Sequence, residues 1–181
     1  MSDDGLRKRR FTPQDVRLRA VRHFTCGTEE WELEVSDWIK GPVLHDMGRG
    51  CEVWLYFKRQ GERNHLVGFG SLGEPPWKYP PSTPLHPNII PNVAVALRFR
   101  GKPAGPWNQR YAYQIMSDLI SEAAAHADRS PLLMLYVHPQ NLRAIRFYEK
   151  IGFEPFHKVY LDKAKNVSYR SMILDLAAVR P

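Results

Sequence analysis

The sequence predicts a fold of the α/β (α+β) class, in which a mixed and mostly antiparallel central sheet contains a βαβ unit and is flanked by helices. Two unbroken apolar runs, 93–97 and 132–137, are typical of strands covered on both faces, so both strands are expected at central positions. A strand, a helix and a strand in this order favour a right-handed crossover. The helix between the runs is predicted from one apolar stripe at three- and four-residue steps, formed by Ala112, Ile115, Met116, Leu119, Ile120, Ala123 and Ala127.

Alternating segments predict the remaining strands. Residues 51–58 and 66–72 are separated by a polar loop and predict a β-hairpin. Residues 154–161 and 168–176 predict a second hairpin at the end of the sheet. Residues 16–24 alternate imperfectly between apolar and basic side chains, which predicts an edge strand.

A turn and a helix are predicted after residue 24. Thr28 is a suitable N-cap, and the acidic residues that follow it favour a helix start. Apolar positions continue from Trp31 to Ile39. The basic run Arg7–Arg10, which precedes these elements, is expected to be a solvated tail.

Residues 73–91 form an insertion of different composition within a chain that is expected to be a single domain, 1–181. Its prolines remove hydrogen-bond donors, so the insertion is expected to be a stiff loop and not part of a sheet. Long loops of this kind are often functional. Its residues Trp77, Tyr79 and His86 either contact the substrate or only plug the core, and the sequence favours neither alternative.

Two connections in the predicted βαβ region carry chemistry. Residues 98–105 form a basic, glycine-containing loop before a helix, where free N–H groups and the helix dipole favour a phosphate. After the second strand, Asn141 is placed to cap a short helix, and Gly152 is placed to end it in the left-handed conformation. The first connection therefore predicts an anion-binding loop.

The stretch from Asn92 to Phe153 resembles the GNAT superfamily of N-acetyltransferases. Its members follow a central strand with Arg/Gln-x-x-Gly-x-Gly/Ala, a long helix, a strand and the pattern Asn-x-x-Ala-x-x-hydrophobic-Tyr-x-x-x-Gly-Phe. The first pattern is altered here, because Pro103 replaces a glycine and brings no N–H group, and Pro106 follows in a longer loop. The second pattern is matched by Asn141, Ala144, Phe147, Tyr148, Gly152 and Phe153.

The resemblance implies acetyl-CoA as the cofactor and a GNAT-like arrangement of the sheet. Asn141 would hydrogen-bond the pantetheine arm, and Tyr148 would protonate the leaving thiolate, although packing alone also explains a tyrosine on this helix. The charges of Arg100 and Lys102 would help to hold the pyrophosphate. The remaining implied contacts are from Val95, Ala96 and Leu97 to the pantetheine arm and the thioester carbonyl, and from the backbone of Gly101, Lys102, Ala104 and Gly105 to the pyrophosphate.

The implied reaction is direct transfer of an acetyl group to a primary amine. The sequence does not identify the acceptor, which can be a small molecule, a protein or a charged tRNA. Glu74, His86 and His138 are candidates for the general base, and bulk water is another.

Two alternatives to this function stay open. One is a toxin-type acetyltransferase that acts on aminoacyl-tRNA, because Phe24–Gly27 resembles the Phe-x-Cys-Gly opening of those enzymes; a turn glycine before a helix explains the same residues. The other is a non-catalytic GNAT-fold binding module in which the cofactor loop has degraded. Pro103 favours this second alternative, whereas Asn141 and Tyr148 oppose it.

Composition limits the other functional classes. The net charge of +7 suits either a nucleic-acid partner or a surface that attracts a polyphosphate cofactor. Two cysteines without metal-ligand spacing favour free thiols, and no metal site is predicted. No apolar stretch suits a membrane span or a secretion signal, so a cytoplasmic location without a membrane partner is expected. A homodimer is compatible with the fold, although no surface stripe identifies one.

Overall fold

The computed structural model of the chain describes residues 5–74, 87–103, 110–125, 130–163 and 166–178. The strands are β1 (Arg7–Arg10), β2 (Glu52–Gln60), β3 (Arg63–Leu72), β4 (Asn88–Ile90), β5 (Val93–Val95), β6 (Leu132–Val137), β7 (Glu154–Asp162) and β8 (Val167–Asp175). The helices are α1 (Arg19–Arg22), α2 (Glu30–Trp38), α3 (Val43–Met47), α4 (Tyr111–Ala125) and α5 (Leu142–Lys150). No helix in the described part of the chain is long and apolar enough to cross a membrane.

The chain divides into two compact units, each with its own four-stranded sheet. The first unit contains Met1–Leu72 and Asn92–Leu119, and the second contains Gly73–Pro91 and Ile120–Pro181. Antiparallel pairs predominate in both, which confirms the mixed, mostly antiparallel α/β class. That the chain is a single domain stays a prediction.

The first unit has the strand order β1-β2-β3-β5, with every pair antiparallel. Its core is aromatic around Phe69 of β3, whose ring centroid lies 5.1 Å from that of Phe24 and 5.7 Å from that of Trp38. The pairing of β3 with β5 requires a glycine at position 68, because a Cβ there would lie 2.3 Å from the carbonyl oxygen of Ala94. The backbones of β3 and β5 therefore lie very close together near the end of β5, just before the chain enters the loop.

The second unit has the strand order β4-β6-β8-β7, in which only β4 and β6 run parallel. Its central strand β6 carries Leu133, Met134 and Leu135, all of them buried, as the unbroken apolar run predicts. The terminal hairpin of β7 and β8 is confirmed, with an irregular register between Phe156 and Val159.

The sequence predicted that the strands now called β5 and β6 both lie at the centre of one sheet, and the observed sheet order corrects this. β5 belongs to the first sheet, where it stands last in the order, while β6 belongs to the second sheet and pairs in parallel with β4. The crossover through α4 thus connects strands of different sheets. The prediction that residues 73–91 contain no strand is wrong, because β4 lies within that insertion, after most of its prolines, at residues that keep their N–H groups.

Two further predictions fail near the start of the chain. Residues 16–24 form no edge strand, because a 3-10 helix at Pro13–Arg17 and then α1 at Arg19–Arg22 occupy most of this range. The N–H of Thr12 donates to the Asp15 carboxylate at 2.8 Å at the start of the 3-10 helix. The predicted helix after residue 28 is confirmed as α2, but its N-cap is Glu29 and not Thr28.

The run Arg7–Arg10 is strand β1 and not a solvated tail. Lys8 lies over the ring of Trp54 and pairs with Asp118, and Arg9 forms two 2.7 Å hydrogen bonds with Asp15. Arg10 pairs with Glu52. Aromatic rings and carboxylates thus compensate the cations on this strand, which the composition of the run alone did not reveal.

Candidate functional site

The helix that follows β6 is built as its sequence predicts. The Oδ1 atom of Asn141 accepts a hydrogen bond from the N–H of Ala144 at 3.1 Å, which caps α5. At the other end, Gly152 has φ +98°, and the N–H of Phe153 donates to the carbonyl of Tyr148 at 3.0 Å. This is a Schellman ending, so both predicted ends of the helix are confirmed.

Tyr148 lies in the last turn of α5 and is partly buried. Its ring centroid lies 5.6 Å from that of Phe147 and 5.9 Å from that of Phe153. Burial raises the pKa of the Tyr148 hydroxyl to about 12. The hydroxyl is therefore protonated at neutral pH and can donate a hydrogen bond.

The backbone at the end of β5 is more occupied than the sequence suggests. The N–H of Ala96 donates to the carbonyl of Val67 at 2.7 Å, and the N–H of Leu97 donates to the carbonyl of Thr25 at 2.8 Å. The resemblance implies contacts from the backbone here to a pantetheine arm, but the N–H groups of Ala96 and Leu97 already have partners within the protein. The contacts of these two residues stay predictions. Val95, opposite Gly68 in the ladder, stays a predicted cofactor contact.

The predicted anion loop starts from a fixed root. A 3-10 helix at Leu97–Phe99 follows β5, and buried Phe99 packs edge-on against Tyr111 with ring centroids 5.6 Å apart. Gly101 then adopts φ +74° with open space where a Cβ would stand. Pro103 pairs with Arg110 in an isolated antiparallel bridge, so the loop leaves and returns at one place.

The charge of Arg100 is engaged within the protein. Its Nη2 atom lies 2.8 Å from Oε1 of Glu32, a buried carboxylate at the start of α2. The other carboxylate oxygen of Glu32 accepts the N–H of Thr28 at 2.9 Å. Sequence reasoning missed Glu32, which looked like one of several acidic residues in a first helical turn. The one available signal was the glycine at position 27, five residues before Glu32, because a side chain there would overlap the Glu32 carboxylate.

The segment Phe24–Gly27 forms hydrogen bonds both to α2 and to the root of the predicted anion loop. Thr25 supplies the carbonyl that accepts the N–H of Leu97, and the N–H of Cys26 donates to Oγ of Ser36 at 3.0 Å. A Cβ on Gly27 would lie 1.7 Å from Oε2 of Glu32, so only glycine leaves room for the carboxylate. The opening has a structural role in this chain.

The remaining predicted site residues divide into two groups. Lys102 is exposed at the loop root, and His138 accepts the N–H of Gln140 at Nδ1, 3.3 Å away, as a turn residue does. Glu74 is exposed. Five predicted positions lie outside the described residues: Ala104, Gly105, Trp77, Tyr79 and His86.

The thiols and carboxylates of the described residues give no metal cluster. Cys26 and Cys51 are both free thiols, and burial raises the pKa of Cys51 to about 12. Across the described ranges, no group of three or more His, Cys, Asp or Glu side chains is placed to hold a metal ion.

Comparison with known families decides the assignment. The family model described as "Acetyltransferase (GNAT) family" matches residues 18–153. The chain belongs to this family. The match spans the GNAT positions from the Phe24–Gly27 opening to Phe153, which ends the motif around Tyr148. A comparison with curated protein sequences finds no match.

Solved structures share the GNAT fold over almost the whole chain. A mutant of the AtaT toxin, bound to the C-terminus of the antitoxin AtaR and acetyl-CoA, covers 97% of this chain and 96% of its own, with 13% identity and a TM-score of 0.65. The NatC complex bound to Gag peptide and CoA covers 94% and 98%, with 13% identity and a TM-score of 0.59. The spermidine/spermine N-acetyltransferase SpeG from Vibrio cholerae covers 96% and 94%, with 14% identity and a TM-score of 0.58. At these identities the likeness shows the fold alone.

Proposed function

We propose that this GNAT protein is an N-acetyltransferase that uses acetyl-CoA and transfers the acetyl group directly to a primary amine. One observation supports the proposal: α5 carries the Asn141 cap, Tyr148 in its last turn and the Gly152 ending in the order of the GNAT sequence pattern. A cytoplasmic location and a homodimer remain predictions.

The described residues fit a cofactor with a pyrophosphate. Gly101 turns with positive φ and has open space around it at the loop root, and exposed Lys102 adds a positive charge beside it. Because Oδ1 of Asn141 is used by the cap, a hydrogen bond from this side chain to a pantetheine arm would come from Nδ2. Ala104 and Gly105 keep their predicted backbone contacts, and Trp77, Tyr79 and His86 remain candidate substrate contacts.

Tyr148 is the proposed hydrogen-bond donor for the leaving group. Acetyl-CoA supplies an acetyl group activated as a thioester, with a thiolate as the leaving group. A hydroxyl with a pKa near 12 is a weaker acid than an ordinary thiol with a pKa of about 8.5. Tyr148 therefore stabilises negative charge by hydrogen bonding at Oη, and complete proton transfer from it is uphill unless the sulfur is desolvated as well.

The proposal is tested first by binding. Acetyl-CoA at 100 times its dissociation constant should stabilise the folded protein by about 2.7 kcal/mol, which raises the melting temperature by roughly 5 to 11 °C. Calorimetry should give one site, and a panel of amines should then release free CoA. A protein that binds neither acetyl-CoA nor longer acyl-CoAs would overturn the proposal and favour the non-catalytic module with a degraded loop.

A toxin-type enzyme acting on aminoacyl-tRNA is the second candidate. The Phe24–Gly27 opening and the fold shared with the AtaT toxin support it. The β1 cations do not support it, because Lys8, Arg9 and Arg10 are paired with carboxylates and cannot account for binding of a polyanion. Incubation with labelled acetyl-CoA and a mixture of charged and deacylated tRNA tests this candidate. Labelling of small amines without labelling of charged tRNA would exclude it.

A further inference from the structure

Glu32 is a buried carboxylate with several donors gathered around it. Its side chain is about 10% exposed. Oε2 accepts N–H groups from Thr28 at 2.9 Å and Glu29 at 3.2 Å, and Oε1 pairs with the Arg100 guanidinium at 2.8 Å. Ionised carboxylates are rarely buried unless such partners compensate them, so the site is built around the charge of Glu32.

The surrounding backbone is shaped to keep this carboxylate in place. Position 27 has no side chain, and any Cβ there would overlap the carboxylate. Ser36 accepts the N–H of Cys26 and donates its own hydroxyl to the carbonyl of Glu32 at 2.7 Å, which ties the first turn of α2 to the preceding segment. Glu32 therefore has little freedom to move toward a different partner.

Arg100 stands where the anion loop begins. Its N–H donates to the carbonyls of Ala96 at 3.1 Å and Leu97 at 3.2 Å, and the next residue, Gly101, turns with positive φ. Fixing the Arg100 side chain on α2 thus fixes the point from which Gly101 and Lys102 extend. The Glu32–Arg100 pair has no net charge, so it adds little long-range attraction for a phosphate.

We propose that Glu32 and Arg100 form a clamp that sets the root of the cofactor loop, so that both act as positioning residues and Arg100 does not itself bind the pyrophosphate. The clamp rests on the proposed function, because its role is to prepare the loop for the phosphates of acetyl-CoA. It revises the sequence prediction for Arg100 and gives the Gly27 and Glu32 positions a function.

The two roles for Arg100 predict opposite effects of one substitution. If Arg100 binds phosphate, Glu32→Gln removes a competing negative charge and acetyl-CoA binds more tightly. If the pair is a clamp, Glu32→Gln releases the loop root and acetyl-CoA binds about tenfold more weakly. The Glu32→Gln/Arg100→Gln double variant should then bind no more weakly than the weaker single variant, because both changes break one interaction.

The experiment measures acetyl-CoA dissociation constants by calorimetry and unfolding by denaturant for each variant. Gly27→Ala displaces the carboxylate without changing a charge and should weaken binding to the same extent as Glu32→Gln. Glu30→Gln, on the exposed side of the same helix, is the control and should bind like the wild type. Val53→Ala lowers core stability on β2, a strand that contains neither residue of the pair, and should leave the dissociation constant unchanged, which separates positioning from general destabilisation.

The outcomes separate the clamp from the proposed function. Wild-type binding with weaker binding by Glu32→Gln and Gly27→Ala supports the clamp. Wild-type binding with equal or tighter binding by Glu32→Gln overturns the clamp and leaves the acetyltransferase proposal intact. A wild-type protein that does not bind acetyl-CoA overturns both.

Discussion

Two regions contain most of the predicted cofactor and catalytic residues, one in each compact unit, and they are held by different kinds of interaction. In Asn141–Phe153 the cap, the helix and the glycine ending are all made by residues within the segment. In Val95–Lys102 the decisive bonds come from distant parts of the chain, namely the carbonyls of Val67 and Thr25 and the carboxylate of Glu32. The first region is set by local sequence, whereas the second depends on the tertiary structure around it.

This difference explains how each region tolerates amino-acid substitutions. A locally specified helix needs only its own capping residues and a few apolar contacts, so its sequence pattern is recognisable. A loop root held by remote partners can lose a signature residue, as with Pro103, while the backbone leading into it stays fixed. Under the proposed clamp, cofactor binding depends on these remote partners as well as on the altered glycine pattern.

The largest expected effect comes from disturbing the pairing of β3 with β5, the strand that leads into the loop region. In Gly68→Ala the new Cβ would lie 2.3 Å from the Ala94 carbonyl oxygen and 2.8 Å from Cδ1 of Ile115, so β5 must move. We expect a loss of about 3 kcal/mol in the free energy of unfolding, at the upper end for overpacking. Urea denaturation measures it, with Gly41→Ala as the control because that position has open space. Equal stability of the two variants would contradict the packing argument.

The next effect tests the chemistry of the locally built helix. Tyr148→Phe keeps the ring contacts with Phe147 and Phe153 but removes the hydroxyl, so turnover should fall about 100-fold while the acetyl-CoA dissociation constant stays constant. Steady-state kinetics and calorimetry separate the two quantities. Tyr113→Phe, at an exposed position of α4, is the matched control. Unchanged turnover in Tyr148→Phe would assign the residue to packing.

A smaller effect separates the two roles of Asn141. Asn141→Ala removes the cap and should cost about 1 kcal/mol of stability, whereas Asn141→Asp can still accept the Ala144 N–H and should be nearly as stable as the wild type. Neither variant has the Nδ2 donor, so both should bind acetyl-CoA more weakly. Denaturation and calorimetry on the pair check this. Wild-type affinity in Asn141→Asp would show that the side chain only caps α5.

The smallest effect appears only at acidic pH and concerns the ion pair between Arg9 of β1 and Asp15. The hydrogen bond from the Arg9 guanidinium holds the pKa of Asp15 below its ordinary value, although burial opposes this. The unfolded chain binds a proton more readily at that carboxyl, so its contribution to stability is complete above about pH 4 and is lost as the pH falls further. Asp15→Asn should flatten the stability profile between pH 5 and the acid limit. An unchanged slope would show that other carboxylates dominate.

Most features of the site that neighbouring residues decide were predicted from the sequence, whereas those that depend on distant residues were missed. Asn141 and Gly152 follow rules of helix ends that need only neighbouring positions, and the runs that became β5 and β6 are apolar enough to be recognised alone. Arg7–Arg10 looked solvated because most of the groups that compensate it are far along the chain: the rings of Trp54 and Phe57 and the carboxylates of Glu52 and Asp118. Only Asp15 is close in sequence to its partner Arg9. Glu32 was missed for the same reason, since its partner Arg100 lies in another part of the sequence.

The bridge between Pro103 and Arg110 has a consequence for how this protein can be altered. Since the two ends are already joined, replacing residues 104–109 with a segment of another length changes only the closure of a small loop, and doubling such a loop costs only about 0.6 kcal/mol. The 3-10 helix before it and α4 after it would keep their positions. The proposed cofactor loop can therefore be varied in length between these two residues while the elements on either side are kept.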